Sequence, residues 1–426
     1  MKKLLPALAM AVVARMAFHA VFLPAFEGPD EPHHLARVMA FVRGPLPQAL
    51  AGGSVGADVV AAVRAYPCAP ALGAAYGCPP FGKTAGAFDL LRAALPMAPD
   101  EATVNPESNQ PPLFYAAAGL PLRLAWPGAG AAGLLLYCRL FSVGLVALAI
   151  LGPLALLARS RPPGLAVAGL LALLLPGASE SLARCSNDAA VFLWAALVLA
   201  LLDDAVPSRR LALLFGAGPL LKLTAIPVVV FAVVALFVQG RRRAAVVGAA
   251  CSLSVFPVQL WRGWLWGGTV ELNRATAPIS EPLLRTLVGF TRSVYAFVKT
   301  TFWVGGWSLL RPPGMLAALY LLLLFAALLA WRLRARPRRP AAHAAAMAMA
   351  AAGFCVFALA NRRLYRDWGG IGGWYLWDWS PWLAMAASDL GSIAPRAGVP
   401  LLWLEGLFVL AANAFWLSAH GSLYVW

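Results

Sequence analysis

Residues 189–202 read AAVFLWAALVLALL, without a charge and with an aspartate at each end, Asp188 and Asp203. Apolar and polar residues do not alternate along this run, which excludes the half-buried strand of a β-barrel and leaves an apolar helix. Leu165 to Leu175 and Met315 to Trp331 read the same way. Around these runs the whole chain is apolar. It has 426 residues, of which 61% are hydrophobic and 12% charged, with a mean hydropathy of +0.74. Soluble domains carry about 25% charged residues. The expected fold is therefore an all-α integral membrane protein, a polytopic bundle of about 10–12 transmembrane helices forming one domain over residues 1–426.

The net charge of +16 would suggest nucleic acid on a soluble protein. Here the basic residues fall between hydrophobic runs, as the positive-inside rule requires, and no nucleic-acid partner is expected. Lys2 and Lys3 place the N-terminus in the cytoplasm, and Arg209-Arg210, Arg241 to Arg243 and Arg332 to Arg339 mark further cytoplasmic loops. Met1 to Ala25 has the basic start and apolar core of a signal peptide, but Arg15 interrupts the core, so the segment reads as a retained first helix.

A large first periplasmic loop then covers residues 24–110, with short amphipathic stretches at Leu35–Val42 and Phe88–Leu95 expected at the membrane interface. Cys68 and Cys78 lie in it and are expected to form a disulfide, because a periplasmic loop is oxidising. Residues 112–126 and 134–158 give two hydrophobic runs where an odd number of crossings is needed. Either the first run does not cross, or the second holds two short helices, or Arg159 is outside. Residues 261–311 and 361–378 are read as further periplasmic loops. They are rich in tryptophan, which suits an aromatic belt or a sugar-stacking surface.

Four polar sets converge on the expected outer face: Asp30, Glu31, His33 and His34; Asn109 and Gln110; Asn187 and Asp188 with Lys222; and Arg362, Arg363 and Arg366. Each has a plain structural reading. Asp30 or Glu31 could cap the helix that begins at Pro32, Lys222 could snorkel from a hairpin turn, and the arginines could meet lipid headgroups. Together they suit transfer of a sugar from a phospholipid-like donor. A carboxylate handles the acceptor proton, cations hold the departing phosphate, and neutral polar and aromatic groups hold the sugar. Adjacent carboxylates raise each other's proton affinity unless a divalent cation bridges them, so Asp30 and Glu31 are also the candidate ligands for magnesium or manganese, the one candidate cofactor.

Several motifs occur in order along the chain: Asp30-Glu31 with His34 after the first helix, Gln110-Pro111-Pro112-Leu113-Phe114-Tyr115, Arg139-Leu140-Phe141-Ser142, Ser186-Asn187-Asp188-Ala189, and Lys222-Leu223-Thr224. In these the chain resembles the bacterial GT-C-type membrane glycosyltransferases, closest to a multi-pass branch distantly like protein O-mannosyltransferases and aminoarabinose transferases. The resemblance implies a GT-C-like bundle in the bacterial inner membrane and inverting transfer from a polyprenyl-phosphate-linked sugar to a glycan, lipid or protein acceptor at the periplasmic face. It casts Asp30, with Glu31, as the catalytic or metal-associated carboxylate. Gln110 and Lys222 would line the donor cavity, joined as substrate-binding candidates by His34, Asn109, Tyr115, Asn187, Asp188, Trp374 and Tyr375. One departure stands out. Relatives carry Gly-Arg-Tyr before a late helix, whereas this chain has Gly373-Trp374-Tyr375, leaving Arg363 or Arg366 as stand-ins. Two other functions fit the same composition: a transporter or flippase of lipid-linked glycans, which needs polar groups deep in the bundle, with Arg15, Arg123 and Arg139 as candidates, and a non-catalytic scaffold of polysaccharide assembly.

Overall fold

A computed structural model describes residues 2–28, 30–51, 53–68, 73, 76–79, 81, 105–160, 163–203, 208–265, 283–303, 312–323, 355, 377 and 395–423. Among these the regular structure is helical, without a β-strand. The first half of the chain holds α1 (Leu5–Phe22), α2 (Glu31–Arg43), α3 (Leu46–Ala51), α4 (Ala57–Arg64), α5 (Leu113–Ala125), α6 (Ala131–Ala149), α7 (Ala155–Ser160), α8 (Pro163–Leu173), α9 (Pro176–Leu182) and α10 (Asp188–Asp203). After these come α11 (Ser208–Leu221), α12 (Ile226–Val238), α13 (Arg242–Ser252), α14 (Val255–Leu265), α15 (Leu283–Phe302), α16 (Gly314–Leu323) and α17 (Pro395–Leu423).

Among the described residues four helices are long and apolar enough to cross a membrane: Leu5–Phe22, Ala131–Ala158, Arg242–Leu260 and Pro400–His420. Shorter apolar helices of 10–17 residues accompany them, α5 and α10 among them. The chain is thus a helical protein built for a membrane.

The structure separates the alternatives left open at residues 112–158. The second run is one continuous helix, in which α6 passes through a single π turn at Ile150–Leu154 into α7. Pro153 lies in that turn; proline offers no N–H to the α ladder, and widening the turn absorbs the loss. α5 has only 13 residues, about 20 Å of helix, against a hydrocarbon layer of about 30 Å. α5 is thus shorter than the layer, and it lies against α2.

α2 also departs from expectation. The Leu35–Val42 stretch was expected at the interface, yet α2 is buried on nearly every side, with Leu35, Val38, Phe41 and Val42 packed among residues of α4, α5 and α6. Its contact with α5 is close. A Cβ added at Gly119 would lie 2.6 Å from the Cβ of Phe41 and 2.9 Å from the carbonyl oxygen of Val38. The Phe88–Leu95 stretch lies outside the described residues.

α6 joins two cores. Leu134, Leu135 and Cys138 pack with α2, α4 and α5, while Val143, Val146 and Ala149 pack with α1, α9 and α17. Arg139 sits where one core gives way to the other. A third core, around Trp194 and Phe215, unites α10 to α13. Of the tryptophans expected in a belt or a sugar-binding surface, Trp303 and Trp377 are buried in the core instead, and the Trp377 indole donates to the carbonyl of Thr301 at 2.8 Å.

Candidate functional site

The site gathers at the start of α2. Asp30 adopts a left-handed conformation, φ 61° and ψ 8°, which costs an L-residue roughly 1–2 kcal/mol and which aspartate tolerates better than most. Its carbonyl accepts from the amides of His33 and His34, but its side chain makes no capping bond. The capping reading of Asp30 is thereby set aside. The carboxylate instead lies 3.7 Å from Nδ1 of His33, an ion-pair rather than a hydrogen-bond distance, and the side chain is 40% exposed. His33 is held in turn at Nε2 by the Tyr76 hydroxyl, 3.0 Å away. Tyr76 lies two residues before Cys78, which is disulfide-bonded to Cys68, so the strap supports the imidazole beside Asp30. Burial works to raise the Asp30 pKa, but the imidazoles of His33 and His34 and the guanidinium of Arg184 outweigh it and hold the carboxyl below its ordinary value.

Glu31 is placed differently. It is fully buried and receives the Arg139 guanidinium at two points, Nε to Oε1 at 2.8 Å and Nη2 to Oε2 at 2.6 Å. The amides of Gly28 and Cys185 donate to it as well. Arg139 also donates to the carbonyls of Ala20, Leu23 and Pro24. A charge inside an apolar helix needs such a partner; the lone arginine in 131–149 was the signal in the sequence. Expected beside Asp30 as a catalytic or metal carboxylate, Glu31 ties α6 to the end of α1 and the start of α2. The two carboxylates therefore do not form a free pair for magnesium or manganese. Among the described residues no group of three or more histidine, cysteine, aspartate or glutamate side chains is placed to hold an ion.

The second polar set does meet the first. The Tyr115 hydroxyl, from the opening turn of α5, lies 2.8 Å from His34 Nδ1 and 3.4 Å from Glu107 Oε2. His34 and Glu107 are 3.7 Å apart. Burial depresses the His34 pKa to about 3; Arg184 and Lys222 add to this, and Asp30 and Asp188 oppose it, leaving a neutral imidazole. The Gln110 carbonyl accepts from Arg37 at 3.4 Å, and the Arg37 guanidinium stacks 5.0 Å from the Tyr115 ring. Asn109 belongs to the short turn Pro106–Asn109 before α5.

Around Asp188 the third set closes. Lys222 stands in extended backbone between α11 and the turn Leu223–Ala225. Its ammonium pairs with Asp188 Oδ1, and it is buried rather than snorkelling. Arg184 meets Oδ2 of the same carboxylate at 2.6 Å, and Ser186 donates to it at 2.9 Å. Two cations thus share one anion, with Arg184 in electrostatic reach of Asp30 and His34 and Lys222 in reach of His34 and Glu107. Asn187 donates to the Leu221 carbonyl at 3.1 Å and closes the end of α11.

Arg184, Glu107 and Tyr76 were absent from the sequence-based candidates. Arg184 stands four residues before Asp188 in the non-helical turn between α9 and α10, and the short chain distance to an acidic residue was its only signal. Glu107 stands three residues before Gln110 but bears no mark of its own. Arg362, Arg363, Arg366, Trp374 and Tyr375 lie outside the described residues.

A second polar cluster lies inside the bundle. Arg15 of α1 donates to Asn413 of α17 at 3.0 Å and stacks 4.5 Å from the Trp416 ring. The Trp416 indole donates to Glu180 of α9 at 2.9 Å, with His420 3.4 Å from the same oxygen. His19 packs beside Trp416. Arg123, a third candidate for buried charge, instead donates to the Gly44 carbonyl just past α2. No protein-family model, curated protein or solved structure matches the chain, so the functional reading rests on this geometry.

Proposed function

We propose that the chain is a membrane glycosyltransferase of GT-C type, a bundle of about ten to twelve spans, which transfers a sugar from a polyprenyl-phosphate donor to an envelope acceptor with inversion. The observation that carries the reading is a partly exposed, ionised Asp30 under the influence of the buried guanidinium of Arg184, which shares Asp188 with the buried ammonium of Lys222. A departing polyprenyl phosphate needs fixed positive charge, and preorganised charge is among the largest contributions a site can make. Arg184 and Lys222 supply two fixed positive charges on either side of Asp188. Asp30 would stay anionic throughout and face the positive charge that develops on the sugar ring. With Lys2 and Lys3 in the cytoplasm, α1 delivers the site to the periplasmic side of the inner membrane.

The test compares lipid-linked sugars and surface glycans by mass spectrometry in cells with the wild-type protein, with Asp30→Asn and without the protein. Loss of the protein should leave a polyprenyl-linked monosaccharide to accumulate, and Asp30→Asn should reproduce this while still inserting and folding. Full activity in Asp30→Asn would end the reading.

A transporter or flippase of lipid-linked glycans remains the second reading, favoured by one observation: Arg15, His19, Glu180 and His420 bring polar groups among α1, α9 and α17. Flux of a labelled polyprenyl lipid into vesicles, without glycosyl transfer, would select it.

A further inference from the structure

Four carboxylates border the site, and their partners differ. Glu31 is saturated by Arg139 and two backbone amides. Asp188 is saturated by Lys222, Arg184 and Ser186. Asp30 stands against His33. Among the described residues Glu107 is in direct ion-pair contact with no lysine or arginine, and its Oε2 is directed at the Tyr115 hydroxyl and the Nδ1 of a neutral His34. A carboxylate paired with cations is a weak base, because taking a proton discards the ion pair. One held by neutral partners can take and release a proton near neutrality. Glu107 is 15% exposed, so a ligand hydroxyl can reach it.

We propose that Glu107 is the general base of the transfer step. This rests on the glycosyltransferase reading and changes its assignment of labour. The acceptor hydroxyl oxygen forms a bond to the anomeric carbon. The bond from that carbon to the donor phosphate breaks, and its electron pair leaves with the phosphate toward Arg184 and Lys222. The hydroxyl proton passes to the Glu107 carboxylate. Asp30 remains an anion, and Tyr115 with His34 fixes the Glu107 carboxyl.

The protonation behaviour fits that role. Burial pushes the Glu107 pKa up to about 7, with the negative charges of Asp30 and Asp188 adding to the rise and Lys222 and His33 opposing it. A base with that affinity is half ionised at neutral pH, where general-base catalysis is most effective.

Two measurements on the full-length protein in detergent or nanodiscs decide the matter. The first needs no substrate: the carboxylic-acid infrared band is titrated in wild type and in Glu107→Gln. The wild type should show one more carboxyl ionising near neutrality than Glu107→Gln. Identical titrations of the two proteins overturn the proposal. The second follows sugar transfer from polyprenyl-phosphate donors against pH. Wild type should lose activity as pH falls through the same midpoint. Glu107→Gln should fall about 100-fold or more, and Glu107→Asp should keep partial activity with a displaced acid limb. An active wild type with undiminished Glu107→Gln removes this proposal and leaves the glycosyltransferase reading standing. A folded wild type that transfers no sugar from any polyprenyl donor removes both.

Discussion

Arg139 and Glu31 stand 108 residues apart and meet through two parallel N–H···O bonds with neither side chain open to solvent. The guanidinium also takes three carbonyls from the end of α1 and the turn after it. One arginine thus sets where α1 stops and where α2 starts. Removing one partner of a buried pair strands the other charge, which typically costs about 3–5 kcal/mol. Arg139→Met and Glu31→Gln should each lower the thermal unfolding midpoint in detergent sharply. Arg139→Lys should recover little, because an ammonium cannot span both carboxylate oxygens. A small loss in Arg139→Met would show that the pair does not organise this junction.

The Cys68–Cys78 bridge closes a short loop, with a sequence separation of 10. By loop entropy alone such a bridge is worth about 3 kcal/mol. Its local effect reaches the site, because Arg64 donates to the Tyr76 carbonyl and the Tyr76 hydroxyl holds His33. Cys68→Ala with Cys78→Ala should destabilise the protein and disturb His33 without changing the amount inserted. The check is a thermal melt with and without reductant. Identical midpoints would dismiss the strap as a support.

Gly119 allows α5 to touch α2. Tyr115 lies one turn earlier on the same helix. Gly119→Val should push the helices apart and pull the Tyr115 hydroxyl from His34, with a cost of about 1–3 kcal/mol typical of overpacking. Tyr115→Phe removes the hydroxyl alone. If Gly119→Val loses function in step with Tyr115→Phe while keeping most of its stability, the contact matters through the tyrosine. A fully active Gly119→Val would show that the helix spacing is not critical.

Much of this arrangement was legible in the sequence, and the illegible part has physical causes. Uninterrupted apolar runs specify helices whatever their neighbours, so α1, α6 and α10 follow from composition. Adjacent polar motifs also pointed to Asp30, His34, Tyr115, Asp188 and Lys222, which the fold does bring together. What the sequence could not supply is direction. Asp30 and Glu31 are neighbours in chain and similar in chemistry, yet the left-handed turn at Asp30 leaves its side chain partly exposed while Glu31 is buried against α6. Partner identity decides that difference: the sequence marks Arg139 as a buried charge but not which distant carboxylate it meets. Glu107 was hidden for a different reason: its distinction is its burial beside Tyr115 and His34, which only the assembled site reveals.

His34 and Glu107 should give opposite responses of stability to pH. His34 has a folded pKa of about 3 against an ordinary value of 6.5. The unfolded chain takes up a proton first, so the stability from neutral His34 is full above pH 6.5 and is lost as pH falls toward 3. Glu107 has a folded pKa of about 7 against an ordinary 4.5. Here the folded state holds its proton longer, so that contribution is full below pH 4.5 and is lost as pH rises toward 7. Between 4.5 and 6.5 the two slopes oppose one another, each at most about 1.4 kcal/mol per pH unit. Acidification from neutrality should therefore change wild type little until about pH 4.5. His34→Asn should gain stability over the window and Glu107→Gln should lose it. Parallel curves for the three proteins would refute the assignment.

Asp188 binds Lys222 and Arg184 together, so their energies cannot be additive. Asp188→Asn leaves two buried cations without an anion and should cost about 3–5 kcal/mol. Lys222→Met leaves Asp188 still bonded to Arg184 and Ser186 and should cost less. The double variant should be more stable than the sum of the single losses implies, by about 1 kcal/mol or more, because Lys222→Met removes one of the stranded charges. Thermal melts of the three variants measure this, and strict additivity would mean that the two side chains do not interact. The same series bears on function. If Lys222 supplies charge to a donor phosphate, a short-chain polyprenyl phosphate should raise the melting midpoint of wild type and leave that of Lys222→Met unchanged. An equal rise in both would place the phosphate elsewhere and remove Lys222 from the donor site.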